Sequence, residues 1–334
     1  MQKINELKNF FTDPSRELLH KRKMLNRAGS IGWAILRIVI LLAIGYIIIY
    51  PLLYMIGTSV RSAQSYYDSA RVWIPSSVNL DFNYSKALEF TSFFDGFKNT
   101  MILEIIAGLI EVITCSIVAY GFARFKFKLK PLFTAGLFLT ILIPEIMVII
   151  PRMLTYSKMD ILGIFGLIAE LTNGAFDIRP NLIGSPWAFY LPSMFAMGLR
   201  SGILIYIYIQ FFKGLPYELE EAAWVDGAGP IRTFISIALP SSSVVFTTVT
   251  VFSVIWHWND TFLAGMYVKS DYPLSVYLSR INATMVGAGY YPNNTDTQSI
   301  LMAACLLFIL PPLIFYMFMQ RKFIESIDRV GITG

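Results

Sequence analysis

Three glutamates lie inside stretches of the sequence that are otherwise apolar. Glu104 and Glu111 interrupt one apolar run, and Glu145 interrupts the next. At helical spacing, Glu104 and Glu111 share one helix face with Gly108. Carboxylates at such positions can hydrogen-bond a polar solute that crosses a membrane, join neighbouring helices, or carry protons. The sequence leaves these three alternatives open.

Four more acids are concentrated in one polar stretch of the chain, and they are Glu218, Glu220, Glu221 and Asp226. Only Arg232 opposes these four acids over residues 214–239, so this stretch has a net charge of −3. Pro216 suits the first turn of a helix, Gly227 can close it, and Pro230 can begin the next. The sequence predicts a rigid hairpin of two short helices, and its acidity indicates docking onto a basic partner surface.

The composition places these residues in a membrane protein. Of 334 residues, 55% are hydrophobic and 15% are charged, and the mean hydropathy is +0.58. Soluble domains carry about 25% charged residues, so a soluble enzyme is disfavoured. Both cysteines lie in apolar runs, which argues against a disulfide, and two histidines are too few for a histidine-based metal site. No metal site and no nucleic-acid partner are expected.

The elements that position the acids are membrane spans of about 20 residues each. We predict an all-α integral membrane protein with six transmembrane helices in a domain over 38–322, a basic segment over 1–37 and a tail over 323–334. The fourth span is expected to extend upstream beyond Arg200. The predicted spans are about 38–58, 99–122, 132–151, 190–212, 241–259 and 300–320.

Two segments outside these spans have features of their own. Residues 161–171 are apolar but too short to span, so an interfacial or re-entrant helix is predicted there. Residues 269–298 form a polar loop with several tyrosines, which either reaches toward an extracellular partner or is a solvated connector.

The distribution of basic residues predicts the orientation. Residues 1–37 contain eight Lys and Arg, and the short turn 124–130 contains four, whereas the longer segment 259–298 contains two. Cytoplasmic segments carry the excess of Lys and Arg, so both termini are predicted to be cytoplasmic. The acidic loop, residues 214–240, then also lies on the cytoplasmic side.

The acidic loop matches a known family signature. It contains Glu221-Ala222-Ala223, three residues, Gly227, nine residues and then Ile237-Ala238-Leu239-Pro240. This fits EAA-x3-G-x9-I-x-L-P, the EAA loop of ABC importer permeases, at every fixed position. The chain therefore resembles a type I ABC importer permease. The resemblance implies that an ATPase subunit binds the loop at Glu218, Glu221, Ala222, Ala223, Asp226, Gly227, Ile237, Leu239 and Pro240.

Shorter stretches resemble the carbohydrate permeases of the maltose type. Residues 119–124 are similar to their AYxFAR stretch, residues 226–228 to their DGA and residues 258–260 to their WND. Two features depart from the pattern. Residues 164–184 look like an insertion, and the tail lacks the usual G-x-V-K-G.

The resemblance implies an importer for a carbohydrate, expected to be an oligosaccharide, in a bacterial cytoplasmic membrane. The implied partners are a second homologous permease subunit, two ATP-binding cassette ATPase subunits, an extracellular solute-binding protein and the lipid bilayer. The chain has no G-x-x-x-x-G-K-[ST] phosphate loop, so ATP and Mg²⁺ are expected on the ATPase subunits. The chain itself is expected to have no cofactor and no enzymatic activity.

Candidate residues for the pathway follow from this resemblance. Glu104 and Glu111 either bind sugar hydroxyls or contact the partner permease. A cluster at the end of the fifth span can stack on sugar rings and hydrogen-bond hydroxyls, or can form an interfacial aromatic belt. If the intramembrane acids carry protons, the chain is instead a secondary transporter or channel that uses Glu104, Glu111 and Glu145. The cluster consists of Trp256, Trp258, Asn259 and Asp260, with His257 among them.

Overall fold

In the computed structural model, the regular elements of the described residues are all helical. Among these described residues, the β-structure consists of one isolated antiparallel bridge between Arg61 and Val78. Helices satisfy every backbone polar group within one segment, as a lipid environment requires. Residues 1–13 of the predicted N-terminal segment and 332–334 of the predicted tail lie outside the described residues. The structure describes residues 14–67, 74–160, 163–174, 176–291 and 295–331.

Fourteen helices account for most of the described residues. A 3₁₀ turn, Gln64–Tyr67, follows the first helix. The third and tenth helices each contain a π-helical turn, Thr100–Ile105 and Phe234–Ala238. The helices are α1 (Pro14–Ser59), α2 (Leu80–Phe90), α3 (Phe93–Arg124), α4 (Lys130–Leu142), α5 (Glu145–Ser157), α6 (Ile164–Leu171), α7 (Trp187–Met194), α8 (Ser201–Gly214), α9 (Glu218–Val225), α10 (Pro230–Ser241), α11 (Ser243–Trp258), α12 (Phe262–Tyr267), α13 (Leu274–Gly287) and α14 (Thr295–Gly331).

Three helices among the described residues are long and apolar enough to cross a membrane. They are α1 over Gly29–Ser59, α3, and α14 over Thr295–Arg321. The first, second and sixth predicted spans lie within them. Two bent helix pairs, α4 with α5 and α10 with α11, raise the count to five if each pair is one span. The structure therefore supports a multi-span protein but does not reach the predicted six.

The third predicted span is broken at a proline inside it, Pro144. Helices α4 and α5 meet at 105° instead of forming one helix over 132–151. Ile143 is extended, with φ −76° and ψ 117°, because the residue before a proline is disfavoured in the helical region. Pro144 then supplies no N–H to continue the hydrogen-bond ladder. The break places Glu145 in the first turn of α5.

The predicted upstream extension of the fourth span is wrong. Helix α8 begins at Ser201, and a non-helical turn separates it from α7. Two residues of this turn, Ala196 and Arg200, have positive φ values of 54° and 59°. Left-handed backbone at a residue with a side chain is uncommon, and apolarity alone does not reveal it. Helix α8 is 14 residues long, about 21 Å at 1.5 Å per residue.

A further bend separates the acidic loop from the fifth predicted span. Helices α10 and α11 meet at 80° beside Ser242. Pro240 cannot donate a backbone hydrogen bond, and its ring crowds the carbonyl of Ser236 four residues earlier. The π-helical turn of α10 contains Ser236 and widens the helix there.

The outer segment 269–298 is not the simple polar loop that its composition predicts. Helix α13 occupies about half of it, and Ile281 and Met285 are fully buried. They pack with Ala87 and Phe90 of α2 and with Ile300 of α14. This packed helix contradicts the solvated-connector alternative for the part of the segment that α13 covers. The predicted short apolar helix is present as α6.

Helix α3 lies at the centre of the packing, and its largest helix–helix contact is with α8. Helices α7 and α11 also pack on it. Small side chains such as Ala107, Cys115 and Ala119 are fully buried along α3. Small residues let helix backbones approach closely, which is how helices associate in a membrane.

A glycine pair tests this packing. A Cβ on Gly202 of α8 would lie 2.6 Å from Thr140 Oγ1 and 3.0 Å from Ile141 Cγ1, whereas nothing lies within 4 Å of a Cβ on Gly136. We expect Gly202→Ala to destabilise the protein by about 1–3 kcal/mol through overpacking. Gly136→Ala leaves the melting temperature in detergent unchanged or slightly higher, because alanine favours helix more than glycine. Equal melting temperatures for the two variants would contradict the α4–α8 contact.

Candidate functional site

The intramembrane acids of α3 meet the single histidine of α11. His257 Nδ1 lies 2.9 Å from Glu104 Oε2, and His257 Nε2 lies 2.9 Å from Glu111 Oε2. Ser201 at the start of α8 donates a hydrogen bond to Glu111 Oε1. We call these four residues the polar cluster. It joins three helices through side chains that are all buried.

Glycine explains why the imidazole fits between the two acids. Gly108 lies between Glu104 and Glu111 on the same face of α3, and a Cβ there would be 2.8 Å from His257 Cδ2. Ser253, one turn before His257, donates a hydrogen bond to the Gly108 carbonyl at 3.1 Å. The absence of a side chain at Gly108 therefore lets α11 approach the backbone of α3.

Burial makes the pairing of these charges a requirement. The exposed fraction is 1% for Glu104, 0% for Glu111 and 3% for His257. An isolated charge at the centre of a bilayer costs about 2.5–3.5 kcal/mol on insertion scales, so a partner for each is expected. Both ring nitrogens face carboxylate oxygens, which favours the doubly protonated, cationic imidazole. The sequence predicts the shared face of the two acids but not their partner. In the sequence, the only indication of this partner is His257, one histidine at the end of an apolar run.

The arrangement bears on the predicted pathway roles. Glu104 and Glu111 contact α11 and α8 of the same chain, which is a helix-joining role, although not the predicted contact with a partner permease. Glu145 Oε1 accepts a hydrogen bond from the Arg200 backbone N–H at 3.3 Å, next to the Ser201 that bonds Glu111.

Two residues of the predicted cluster at the end of the fifth span have structural contacts. Trp258 is 2% exposed and donates its indole N–H to the Phe308 carbonyl of α14. Asp260 is buried and accepts backbone hydrogen bonds from residues 262, 263 and 264, which caps α12. Both residues hold helix ends in place.

The other two members of the cluster remain accessible. Trp256 is half-buried and stacks on Phe252, and the Arg200 guanidinium lies 5.0 Å from its ring centre. Asn259 is exposed and donates a hydrogen bond to the Ile255 carbonyl. Trp256 and Asn259 are thus the cluster residues that a solute can reach.

A small cavity of about 20 Å³ adjoins the polar cluster, and most of its wall is apolar. Its polar lining includes Glu104 and His257 of the cluster together with Arg152, Asp260 and Ser193. Within the described residues, Glu104 Oε1 and Ser193 Oγ are buried without a hydrogen-bond partner. Unsatisfied buried oxygens of this kind can hydrogen-bond water or a hydroxyl group. No group of three or more His, Cys, Asp or Glu side chains suited to a metal ion occurs among the described residues.

The acidic loop consists of two helices joined by a turn. Helix α9 begins at Glu218 after Pro216, and α10 begins at Pro230. Gly227 has φ +78°, the left-handed conformation that the sequence predicts for closing the first helix. Gly229 is extended at the N-cap of α10, with φ −76°.

The surface of the loop is acidic and apolar. Among the residues predicted to dock, Ala223, Ile237 and Leu239 are half-buried. Apolar side chains beside them are exposed, including Val225 and Ile231. Exposed apolar groups beside charges are typical of a protein interaction site. The exposed members of the predicted docking set are Glu218, Glu221, Ala222, Asp226, Gly227 and Pro240.

Glu220 differs from the other acids of the loop. It is 1% exposed, and its Oε1 lies 2.8 Å from Arg124 Nε at the end of α3. Sequence reasoning missed this pair, although Arg124 stands in the stretch that resembles carbohydrate permeases. The loop is therefore attached to α3 by an ion pair that no spacing rule reveals.

The chain is thus a multi-span membrane protein whose described residues form helices, several of them apolar, and an exposed acidic helical hairpin. It belongs to the family described as binding-protein-dependent transport system inner membrane component, whose model matches residues 112–329. The chain is therefore an inner-membrane component of a transport system, a role that is not itself enzymatic.

Several relatives match most of the chain. A probable starch degradation products transport permease, AmyC of Thermoanaerobacterium thermosulfurigenes, is 27% identical over 258 residues, covering 76% of this chain and 81% of its own. The melibiose/raffinose/stachyose import permease MelC of Bacillus subtilis is 24% identical, covering 85% and 91%. The sn-glycerol-3-phosphate permease UgpE of Pectobacterium atrosepticum is 30% identical, covering 68% and 69%.

A solved structure has the same fold. It is a crystal structure of a bacterial ABC transporter involved in the import of the acidic polysaccharide alginate. The match has a TM-score of 0.65 at 18% identity and covers 88% of this chain and 97% of that chain. The helical arrangement described above is thus one that occurs in an ABC transporter.

The polar cluster generates a stability prediction. His257→Ala leaves two buried acids without their cationic partner, which costs about 3–5 kcal/mol in comparable buried pairs. We expect a melting temperature in detergent lower by roughly 10 °C. Asn259→Ala, two residues away and exposed, serves as the control and should change the melting temperature little. A His257→Ala protein as stable as the control would rule out the ionic contact.

Proposed function

We propose that the chain is the transmembrane subunit of an ATP-driven importer for a carbohydrate, expected to be an oligosaccharide. It forms half of the translocation pathway and couples to a separate ATPase through the acidic loop. The observation that carries this proposal is the acidic loop. It has the complete EAA pattern on a helical hairpin, and Glu218, Glu221 and Asp226 are exposed on α9 and the turn after it.

The charge and shape of α9 support a docking role. Three exposed carboxylates within nine residues attract a basic surface and orient it, since complementary charge steers association. Exposed Ala222 leaves room for a partner backbone to approach. Because the chain has no phosphate-binding loop, ATP and Mg²⁺ belong to the ATPase subunits in this proposal.

The relatives support a carbohydrate as the solute. Two of them carry names of glycan importers, for starch degradation products and for melibiose, raffinose and stachyose. Trp256 is half-buried and Asn259 is exposed, and their indole and amide groups suit packing against a sugar ring and hydrogen bonding to hydroxyls. Glu104 lines the adjoining cavity and can extend this polar surface, while Glu111, Trp258 and Asp260 hold the helices around it.

The proposed assembly places both termini in the cytoplasm of a bacterial cell, as the distribution of basic residues predicts. The full importer contains a second homologous permease, two ATPase subunits and an extracellular solute-binding protein. Alternating access then arises because these partners bind the inward and outward states with different affinity.

The alternative, a secondary transporter or channel, is less consistent with the contacts. A proton or ion path through Glu104, Glu111 and Glu145 requires acids that face one aqueous route. Glu104 and Glu111 are instead both bonded to His257, and Glu145 contacts the backbone of Arg200.

Purification from native membranes distinguishes the two functions. We expect the tagged chain to recover a second permease-like chain and an ATPase, and transport in vesicles to require ATP. Uptake of labelled oligosaccharides and of sn-glycerol-3-phosphate by the recovered complex then identifies the solute class. A homodimer that transports actively without an ATPase would refute the proposal.

A substitution in the turn of the loop tests the coupling. Gly227→Asp forces a side chain into left-handed backbone at a cost of about 1 kcal/mol and alters the docking surface. We expect normal membrane insertion but loss of ATPase association or of ATP-driven uptake. Gly229→Asp adds the same charge two residues away at an ordinary φ, where aspartate is a favourable helix cap, and should retain activity. Full coupling in Gly227→Asp would contradict the proposed role of the loop.

A further inference from the structure

The guanidinium of Arg124 contacts three consecutive parts of the acidic loop. Its Nε donates a hydrogen bond to Glu220 Oε1 of α9 at 2.8 Å, and its Nη2 donates one to the Leu215 carbonyl at 2.8 Å. The ring of Tyr217 lies 5.3 Å from the guanidinium carbon. One side chain at the end of α3 therefore holds the end of α8 and the first turn of α9.

The burial of this pair is unusual for its position. The side chains of Arg124 and Glu220 are 6% and 2% exposed, whereas Lys126 and Lys128, in the turn that follows α3, are exposed. Removing two charges from water costs much of what their attraction returns, so a buried pair is weak evidence for added stability. A fork that makes two directional hydrogen bonds does fix the orientation of its partner.

A second contact attaches the other helix of the loop to α3. Tyr120, one turn before Arg124, packs its ring against Phe212 of α8 at 5.6 Å and against Phe234 of α10 at 5.1 Å. Both helices of the acidic loop are thus held by the last two turns of α3. Movement of the loop without α3 would break the ion pair and separate these rings.

Helix α3 connects this inner contact to the polar cluster. Arg124 and Glu111 are thirteen residues apart, about 20 Å along a helix, and Glu104 lies seven residues before Glu111. His257 joins α3 to α11 at these two acids. A displacement of α9 can therefore reach α11 through a packed helix that has one polar contact at its C-terminal end and another in its middle.

We propose that Arg124 is the positioning residue that makes α3 move with the coupling helix α9. It converts ATPase-driven movement of the loop into movement of the transmembrane bundle. This inference rests on the proposed function, since it assumes that α9 docks on an ATPase. It assigns the transmission to one buried guanidinium, while the exposed acids of the loop serve docking.

A distance measurement on the full complex tests the inference. Spin labels are placed at Val225 of α9 and Phe94 at the outer end of α3, which are 88% and 75% exposed. Electron paramagnetic resonance then measures the label separation with and without ATP, Mg²⁺ and orthovanadate. In the otherwise unaltered chain we expect one narrow distribution that nucleotide does not change, because α9 and α3 move together.

Loss of the guanidinium should separate the two movements. In Arg124→Ala the distribution is expected to broaden or shift by several ångströms on adding nucleotide, while the ATPase still co-purifies. Glu220→Gln should act in the same direction, and the exchange Arg124→Glu with Glu220→Arg should restore part of the narrow distribution. Lys126→Ala removes a neighbouring exposed charge and is the matched control.

The outcomes separate this inference from the proposed function. A nucleotide-independent, narrow distribution in Arg124→Ala with the ATPase bound would overturn the role of Arg124 alone. Absence of an ATPase from the unaltered complex would overturn the proposed function. If Arg124→Ala does not accumulate in membranes, Arg124→Lys decides, since an ammonium keeps the charge but cannot reproduce the fork. Behaviour of Arg124→Lys identical to the unaltered chain would then reject the inference.

Discussion

His257 lies between two carboxylates inside an apolar bundle, and the positions of three helices follow from that contact. A charge without a partner in hydrocarbon is costly, so Glu104, Glu111 and His257 must meet. Their contact sets the rotation of α11 and its position along α3, because the missing side chain at Gly108 leaves the space that the imidazole occupies. Ser201 extends the same contact to the start of α8, where the chain has just left a left-handed turn. Glu104 and His257 also form part of the wall of the cavity beside the cluster.

Helix α3 has a second polar contact at its C-terminal end, and the two contacts differ in consequence. The polar cluster joins three helices through buried side chains. The contact of Arg124 joins α3 to a hairpin whose remaining surface is exposed, so Arg124 and Glu220 form a boundary between bundle and docking surface. Between the two lies a row of small residues against which α8 packs. A partner that moves the hairpin therefore acts on α3 as well as on α8 and α11, to which the hairpin is joined along the chain.

Local chemistry predicted some elements well and others poorly. The helical hairpin of the acidic loop followed from Pro216, Gly227 and Pro230, because proline restricts φ and glycine permits the left-handed conformation that ends a helix. The extension of the fourth span beyond Arg200 was wrong, since the left-handed residues of the turn there are Ala196 and Arg200, which are not glycines. The prolines around the third span were visible, but hydropathy could not give the 105° bend. Helix α13 was missed because its buried face packs partly against α2, which is distant in sequence.

The sequence by itself determined that the chain is apolar enough for a membrane, where its basic residues concentrate, and that one loop carries the permease signature. These properties depend on composition and on short-range spacing, which need no neighbours. Only the tertiary structure decided that Glu104 and Glu111 share His257, that Trp258 and Asp260 anchor helix ends, and that Glu220 is buried against Arg124. The physical reason is that a buried charge takes whichever partner the packing of distant helices brings within hydrogen-bonding distance, and a single sequence does not contain that distance.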